Sequence, residues 1–379
     1  MGNITVNRLP VPTWNSLRVN DCTVHLPEWF EPATPEITAP AGVTVTEMYT
    51  GKGLSELDSL VEGLAGEAVV AGKQAIYNEQ HFPTALGKDF TNVIDGAAAS
   101  IRKIEIPEGQ KIEEPVVVKL DAADGKDIAE QYMIVAGKDS EASILFVRST
   151  EKDAKGTLLS EIKVLAGENA KVRLFDVNLA GSDFLVLDDC AANLSKNAGF
   201  ELTQLLLGGK ETHTGCKTVQ AGEGSQFTVN TGYLAENNQL LDINYHTVQL
   251  GRNTESKIYV KGSIRKGAAK VFRGTIDFRK GSAGSVGDEQ EDVLLFDDDV
   301  VNKTIPVILT EEEDVKGRHG GSMGNLAADT LFYMGTRGIK KKYAEMLVTK
   351  GRLVSIAHTI PHEETIGRVN GFIREAFSD

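Results

Sequence analysis

The sequence predicts a mainly β fold: a solenoid of short stacked strands, with a small N-terminal arm and helix before it and a helical C-terminal region after it. A recurring turn phrase is the first observation behind this. Gly137-Lys138-Asp139, Gly167-Glu168-Asn169, Ser195-Lys196-Asn197, Gly222-Glu223-Gly224 and Gly251-Arg252-Asn253 have third residues 30, 28, 27 and 29 positions apart. Gly, Asn and Asp tolerate positive φ, so each triplet reads as a tight turn between extended runs. The second observation concerns the residues downstream of each turn. Ile144, Leu174, Leu202, Val229 and Ile258 stand at one fixed offset, with Ala142, Val172, Phe200, Phe227 and Ser256 two residues earlier. Side chains two apart on a strand share a face, so every unit offers a similar inward pair. Third, no proline occurs between Pro115 and Pro306, as expected where backbone N–H groups are committed to ladders. A fixed period with two short strands per unit marks stacked rungs. An antiparallel sandwich fits the strand spacing but not the constant phase. The five residues Ile144 to Ile258 are therefore expected in one interior column.

Taken in order, residues 1–98 form the arm and short helices. Six prolines between Pro10 and Pro40 make the start an irregular segment, anchored by Trp14 and Leu17 and again by Trp29 and Phe30. Leu54, Leu57, Leu60, Val61 and Leu64 fall at helical spacing, and a shorter helix is expected over Tyr77 to Asp89. The solenoid core is expected over 99–324. Its second strands precede the turn phrases, at Leu158–Leu165, Leu187–Leu194, Gly215–Ala221 and Asp242–Leu250. Residues 279–292, rich in Gly, Ser and acids, are expected to be a looser connection. Val293–Phe296 and Thr304–Leu309 are then the closing rungs. In 325–379 the period becomes helical. A short helix around Leu331 ends at Gly335 and Gly338. A second covers Tyr343 to Ala357, with Tyr343, Leu347, Val354 and Ala357 on its apolar face, and a third runs from Ile366 to Phe377. Leu347, Val354 and Phe372 are expected to contribute an apolar packing or docking surface.

Composition excludes several classes. Of 379 residues, 41% are hydrophobic and 25% charged, which supplies a core and argues against global disorder. A formal net charge of −14 argues against nucleic acid or an anionic membrane as partner. No apolar run is long enough for a membrane span. The N-terminal residues lack a basic and an apolar region, so no secretory signal is expected. With three cysteines and no C-x-x-C, a reduced cytoplasmic protein is expected.

Residue chemistry is sparse. There is no H-E-x-x-H, and Pro361 separates His358 from His362, which keeps them off a shared helical face. His25, His81 and His358 read as ordinary surface or core histidines, and His213 and His246 as wall residues of the solenoid. His319 has a different setting, after the last expected strand and flanked by glycines that leave the backbone open to close approach. Cys190 and Cys216 fall 7 and 8 residues before the third positions of their turn phrases, which is compatible with adjacent rungs, and they read as two small buried residues. The acidic runs Asp297–Asp299 and Glu311–Asp314 read as solvated turns, because their spacing matches no calcium loop. No phosphate-binding G-x-x-x-x-G-K-[ST] occurs, so the chain should not hydrolyse a nucleotide by itself. No nucleophile–base pair or glycosidase-like carboxylate pair can be read, and no enzymatic activity is expected.

Several blocks between Leu241 and Gly338 carry a resemblance. They are Asp242-Ile243-Asn244-Tyr245-His246, Ser256 to Gly262, Val271-Phe272-Arg273-Gly274, Asp288 to Leu295, Ile305 to Ile308, Asp314 to Gly320 and Leu331 to Ile339. In this order they resemble the core domain of the SufB/SufD family of iron–sulfur cluster assembly proteins. Pro12-Thr13-Trp14-Asn15 is similar to the entry segment of its SufD-type members. The resemblance implies a right-handed parallel β-helix and a place in the SUF machinery. A SufB-like subunit and a SufC-like ABC ATPase, docked through the C-terminal helices, are the implied partners. No cofactor is implied as stably bound; iron or a nascent iron–sulfur cluster would be held transiently at a subunit interface. By the same resemblance His319 falls on the SufD-type histidine and becomes a metal ligand at that interface. Two family cysteines are replaced, by Gly317 and Glu291, so the thiolate of a stand-alone scaffold is missing. Two other readings stay open here: a β-helix enzyme acting on carbohydrate, which would need secretion, and a homodimeric structural solenoid.

Overall fold

The computed structural model describes residues 2–13, 15–69 and 82–378. Five short strands begin the chain: β1 (Asn3–Val6), β2 (Cys22–His25), β3 (Glu31–Pro32), β4 (Glu36–Thr38) and β5 (Thr44–Tyr49). Two helices come next, α1 (Thr50–Val69) and α2 (Lys88–Ala97). The solenoid then comprises β6 (Ser100–Ile106), β7 (Val116–Ala122), β8 (Lys126–Ala136), β9 (Glu141–Thr150), β10 (Lys155–Ala166), β11 (Lys171–Leu179), β12 (Asp183–Leu194) and β13 (Gly199–Leu206). It continues with β14 (Glu211–Gln220), β15 (Gln226–Ala235), β16 (Leu240–Gln249), β17 (Glu255–Ile264), β18 (Ala269–Phe278), β19 (Ser285–Leu295), β20 (Val301–Thr310) and β21 (Val315–Gly324). Three helices finish the chain: α3 (Ala328–Thr336), α4 (Lys341–Ala357) and α5 (Glu363–Ala376).

Even-numbered strands from β6 to β20 form one wall and odd-numbered strands from β7 to β21 the other. Every pairing along these two walls is parallel. The product is a parallel β-helix. Its period is set by the turn phrase: Asp139, Asn169, Asn197, Gly224 and Asn253 all have φ between 54° and 69°, the left-handed region that Gly, Asn and Asp enter most cheaply. These side chains also bond along the stack, Asn169 Nδ2 donating to Asp139 Oδ1 at 2.8 Å and Asn197 Nδ2 to Asn169 Oδ1 at 3.2 Å. Ile144, Leu174, Leu202, Val229 and Ile258 are successive register partners, each at most 1% exposed. The expected interior column exists. Cys190 and Cys216 are likewise partners on β12 and β14, free and buried.

The two ends of the stack differ. At the N-terminal end β5 lies antiparallel on β6 and β4 antiparallel on β7. Helix α1 packs there closely enough that a Cβ on Gly53 would come within 2.9 Å of Ile101, and Lys103 Nζ reaches Glu56 at 2.8 Å. At the other end β20 and β21 are the outermost strands, with only half-buried and exposed residues. Helices α4 and α5 pack on the odd-numbered wall. Leu353, Ile356, Val369 and Ile373 meet Leu145, Val177, Leu205 and Leu234 there.

Several expectations need correcting. Residues 279–292 are not a loose connection: β19 occupies Ser285–Leu295, and of its inward acids Glu291 finds a cation in Lys270. The stack does not close at Leu309, since β21 adds a further strand. The arm is more regular than its prolines suggest. The hairpin β1–β2 pairs antiparallel and packs with α2 against Ala129, Leu159 and Leu187 of the wall. Of the helix expected over Tyr77 to Asp89, residues 77–81 lie outside the described residues, and Phe82–Gly87 is not helical. The helix begins instead at Lys88. Trp14 and His81 also lie outside the described residues. On α4 the face turned to the wall is Ala344, Thr349, Leu353, Ile356 and Ala357, while Tyr343 and Leu347 are exposed.

Candidate functional site

The column of five aliphatic residues does not stop at Ile258. Its next register partner is Glu289 on β19, and the partner of Glu289 is His319 on β21. Strand alternation therefore turns both side chains to the inner face of the stack. His319 lies inside the last strand, not beyond it. β21 is the uncovered edge of its wall, so His319 is exposed while Glu289, one rung down, is 2% exposed. Gly317 aligns with Gly287 and Gly321 with Glu291 on either side. Cβ atoms on Gly320 or Gly321 would meet nothing within 4 Å, so the approach to the imidazole is open.

Beneath it lies a buried polar group that hydrophobic patterning does not anticipate. Glu291, in register with Val260, pairs with the fully buried Lys270 of β18. Its second oxygen accepts from Thr304 Oγ1 at 2.5 Å, and Lys270 also donates to Thr304 at 3.2 Å. Glu289 has no such partner. Its Oε2 is buried without a hydrogen bond. Burial, with the charge of Glu291 beside it, pushes its carboxyl up to about 8 against the opposing pull of Lys270. Gly274 across the lumen makes room for this group: a Cβ there would come within 2.4 Å of the Glu289 carboxylate. Burial also lowers Lys270, although Glu291 pulls the other way. On the outer side, Asp288 receives Arg318 at 3.1 Å and Tyr259 Oη at 3.3 Å.

This end of the stack thus offers one accessible imidazole above two inward carboxylates and an ammonium group. Neutral imidazole and carboxylate ligate iron and other divalent ions, and a proton held on Glu289 would be exchanged for a cation on binding. No thiolate joins them among the described residues. Cys190 and Cys216 lie deeper, in the even-wall column that runs through Tyr245 to Gly274. The acidic runs are turns: Asp297 and Asp299 accept the backbone N–H groups of Lys266 and Gly267. His246 is buried on β16, His25 bonds Asn3 at 3.0 Å and His362 bonds Thr365 at 2.8 Å. Glu289 and Lys270 escape sequence reasoning. The turn phase would find Glu289, since Gly284 has φ 78° and Glu289 stands after it at the same offset that links Asn253 to Ile258.

Among the described residues, no helix is long and apolar enough to cross a membrane. Residues 119–352 match the family described as "SUF system FeS cluster assembly, SufBD core domain". Similar proteins include the iron–sulfur cluster assembly protein SufD of Bacillus subtilis, 23% identical over 334 residues, covering 86% of this chain and 74% of that protein. A SufBD family protein of Mycobacterium leprae is 26% identical over 202 residues, covering 53% of this chain and 23% of that one. One from Staphylococcus epidermidis is 22% identical over 240 residues, covering 62% and 51%. The chain thus spans about a quarter to a half of the latter two. A parallel β-helix of the expected phase, matched over the greater part of its length, makes this chain a member of the SufB/SufD family of iron–sulfur cluster assembly proteins.

Proposed function

We propose that the chain is a SufD-like, non-enzymatic subunit of a cytoplasmic SUF assembly complex, working beside a SufB-type scaffold and a SufC-type ATPase. The observation that carries this reading is the uncovered last rung with His319 at its edge. Unpaired N–H and C=O groups along ten residues of β21 are a template for strand pairing with another chain. A partner seated there would bring its own ligands to His319. Iron or a nascent cluster is then the cargo, held between subunits, with His319 completing a site that the partner largely supplies and Glu289 exchanging a proton as charge arrives. A general base would need a substrate pocket and a group tuning its pKa; His319 has an open edge instead. Similarity to the SufD of Bacillus subtilis supports the SufD-like assignment.

Docking of the ATPase is assigned to the C-terminal helices. Helix α3 has no buried residue and presents Phe332 and Tyr333, which are 74% and 59% exposed; Tyr343 and Leu347 extend the patch on α4. Apolar patches of this kind mark interaction surfaces. The test is co-expression with the SufB- and SufC-type partners of the same source, then purification and assay of iron and sulfide. His319→Ala should leave the complex assembled while cluster yield falls. Wild-type yield in that variant would make His319 a structural residue. Failure of the three chains to co-purify, with the protein recovered as a homodimer, would refute the SufD-like reading.

A further inference from the structure

A second set of ligating groups lies on the outer face of the even-numbered wall, two strands in from its open edge at β20 and under the N-terminal hairpin. Cys22 begins β2, His213 lies on β14 and Asp242 on β16, where His213 and Asp242 are register partners. The Cys22 sulfur, a ring nitrogen of His213 and a carboxylate oxygen of Asp242 lie within 4.8 Å of one another. His213 and Asp242 are 0% and 1% exposed, and Cys22 is half-buried. The imidazole is already oriented. Its Nε2 meets Glu211 Oε1 at 2.7 Å, which leaves the buried Nδ1 facing the Cys22 thiol. A carboxylate behind one nitrogen and a free second nitrogen is the arrangement by which proteins aim histidine at a metal.

We propose that Cys22, His213 and Asp242 form a binding site for a divalent metal ion of borderline softness, Zn2+ being the best fit, which clasps the N-terminal hairpin to the solenoid wall. Thiolate, imidazole and carboxylate are the zinc donor types, and three protein ligands leave a fourth position for water. Charge supports this. Asp242 also accepts from Asn7 Nδ2 at 2.7 Å and pairs with the buried Arg273, and Arg273 Nε donates to Val19 O at 2.7 Å. With the metal bound, a Cys22 thiolate, Asp242 and Glu211 carry three negative charges, which Arg273 and a divalent cation balance; without it, a proton on His213, held by Cys22 and Glu211 against burial, stands in the cation's place. The balance is simple. The metal displaces the thiol proton of Cys22 and the second ring proton of His213 to bulk buffer, and no oxidant or reductant takes part. Asn7, Val19 and Cys22 all belong to the arm, so the same wall residues that hold the arm by hydrogen bonds would hold it by the metal.

The experiment uses the full chain, stripped with chelator and titrated with Co2+ under reducing conditions. The expected result is one Co2+ per chain with a near-ultraviolet thiolate-to-cobalt charge-transfer band, bleached by an equivalent of Zn2+. Cys22→Ser should abolish the band, and Glu211→Gln should weaken binding about 10–100-fold while leaving the band in place at saturation. Tryptic cleavage at Arg8 and Arg18, both exposed on the arm, should slow with Zn2+ in the parent but not in Cys22→Ser. Circular dichroism establishes that each variant is folded. Absence of the band in the folded parent overturns the proposal, and so does a band that survives in Cys22→Ser, which would assign the metal to Cys190 and Cys216. Neither result touches the role of His319, which is read from cluster yield.

Discussion

Replacing Glu289 with Gln should make the protein more stable at neutral pH, and the gain should vanish in acid. Glu289 is 2% exposed, has one oxygen without a hydrogen bond, and has its carboxyl raised to about 8 from an ordinary 4.5. In the unfolded chain the same group ionises near 4.5. Between these values the folded state holds a proton that the unfolded state has released, so stability falls as pH rises through this window. One pKa unit corresponds to about 1.4 kcal/mol. Integrated from pH 5 to pH 7.5, the contribution of this single group falls by about 3 kcal/mol. Gln has nearly the same shape and does not titrate. Subtracting parent from variant also cancels other groups that respond to pH, such as Asp189, which burial likewise raises to about 8. The assay is urea unfolding monitored by circular dichroism at pH 5, 6, 7 and 7.5. The variant should match the parent near pH 5 and exceed it by about 3 kcal/mol at pH 7.5. A constant loss at every pH would refute the reasoning, because it would mean that Glu289 is ionised when folded and bonded to Lys270.

The packing sets three further outcomes. Leu202→Ala opens a hole between Leu174 and Val229 in the middle of the interior column and should cost about 3 kcal/mol in urea unfolding; a loss below about 1 kcal/mol would mean that the rungs close over the gap. Arg148 is buried against Glu130, Asp176 and Asp188. Arg148→Met should therefore destabilise by about 3–5 kcal/mol at pH 7 and by visibly less at pH 5, where the stranded carboxyls can take up protons. A Cβ on Gly232 would come within 2.9 Å of both Leu353 and Ile356. Gly232→Val should thus lift α4 from the wall and open its half-buried Lys350 and Arg352 to trypsin without loss of the β signal, and unchanged cleavage would show that α4 absorbs the intrusion.

Much of the solenoid is legible in the sequence because one physical requirement repeats in it. Each turn needs a residue that accepts positive φ, and each strand must deliver an apolar side chain to the same depth. Counting from turn to strand therefore locates Ile144 through Ile258, whereas Cys190 and Cys216 stand 7 and 8 residues before their turn positions and are aligned only by the ladder. The count fails where composition outweighs phase. Ser285–Leu295 carries acids at positions that elsewhere hold Ile and Val, so propensity reads it as a loop; its ladder and the Lys270–Glu291 pair hold it as a strand regardless. The Gly-rich β21 escapes for the same reason, although His319 stands after Asp314 at the offset that places Ile258 after Asn253. On α4 the largest apolar residues mislead about the inward face. It is built instead on Ala344, Thr349, Leu353 and Ile356, of which Leu353 and Ile356 close over Gly232. Nothing in the spacing joins Cys22 to His213, since only tertiary docking of the arm brings them together.

The inequality between the two ends of the stack limits how large an assembly can grow. In polymer terms, the two ends of each chain are unlike. At one end β4 and β5 turn the ladder antiparallel, and at the other β20 and β21 keep the parallel sense up to the edge. A bifunctional rod would add units indefinitely and form fibres. Unlike ends do not match head to tail, so the coupling they favour joins two copies of the same kind of edge. On the reading proposed above, a two-solenoid unit joined through β20 and β21 is then the natural stopping point of growth, whether the second rod is a copy of this chain or a related one, and its cargo is built where the two rods meet.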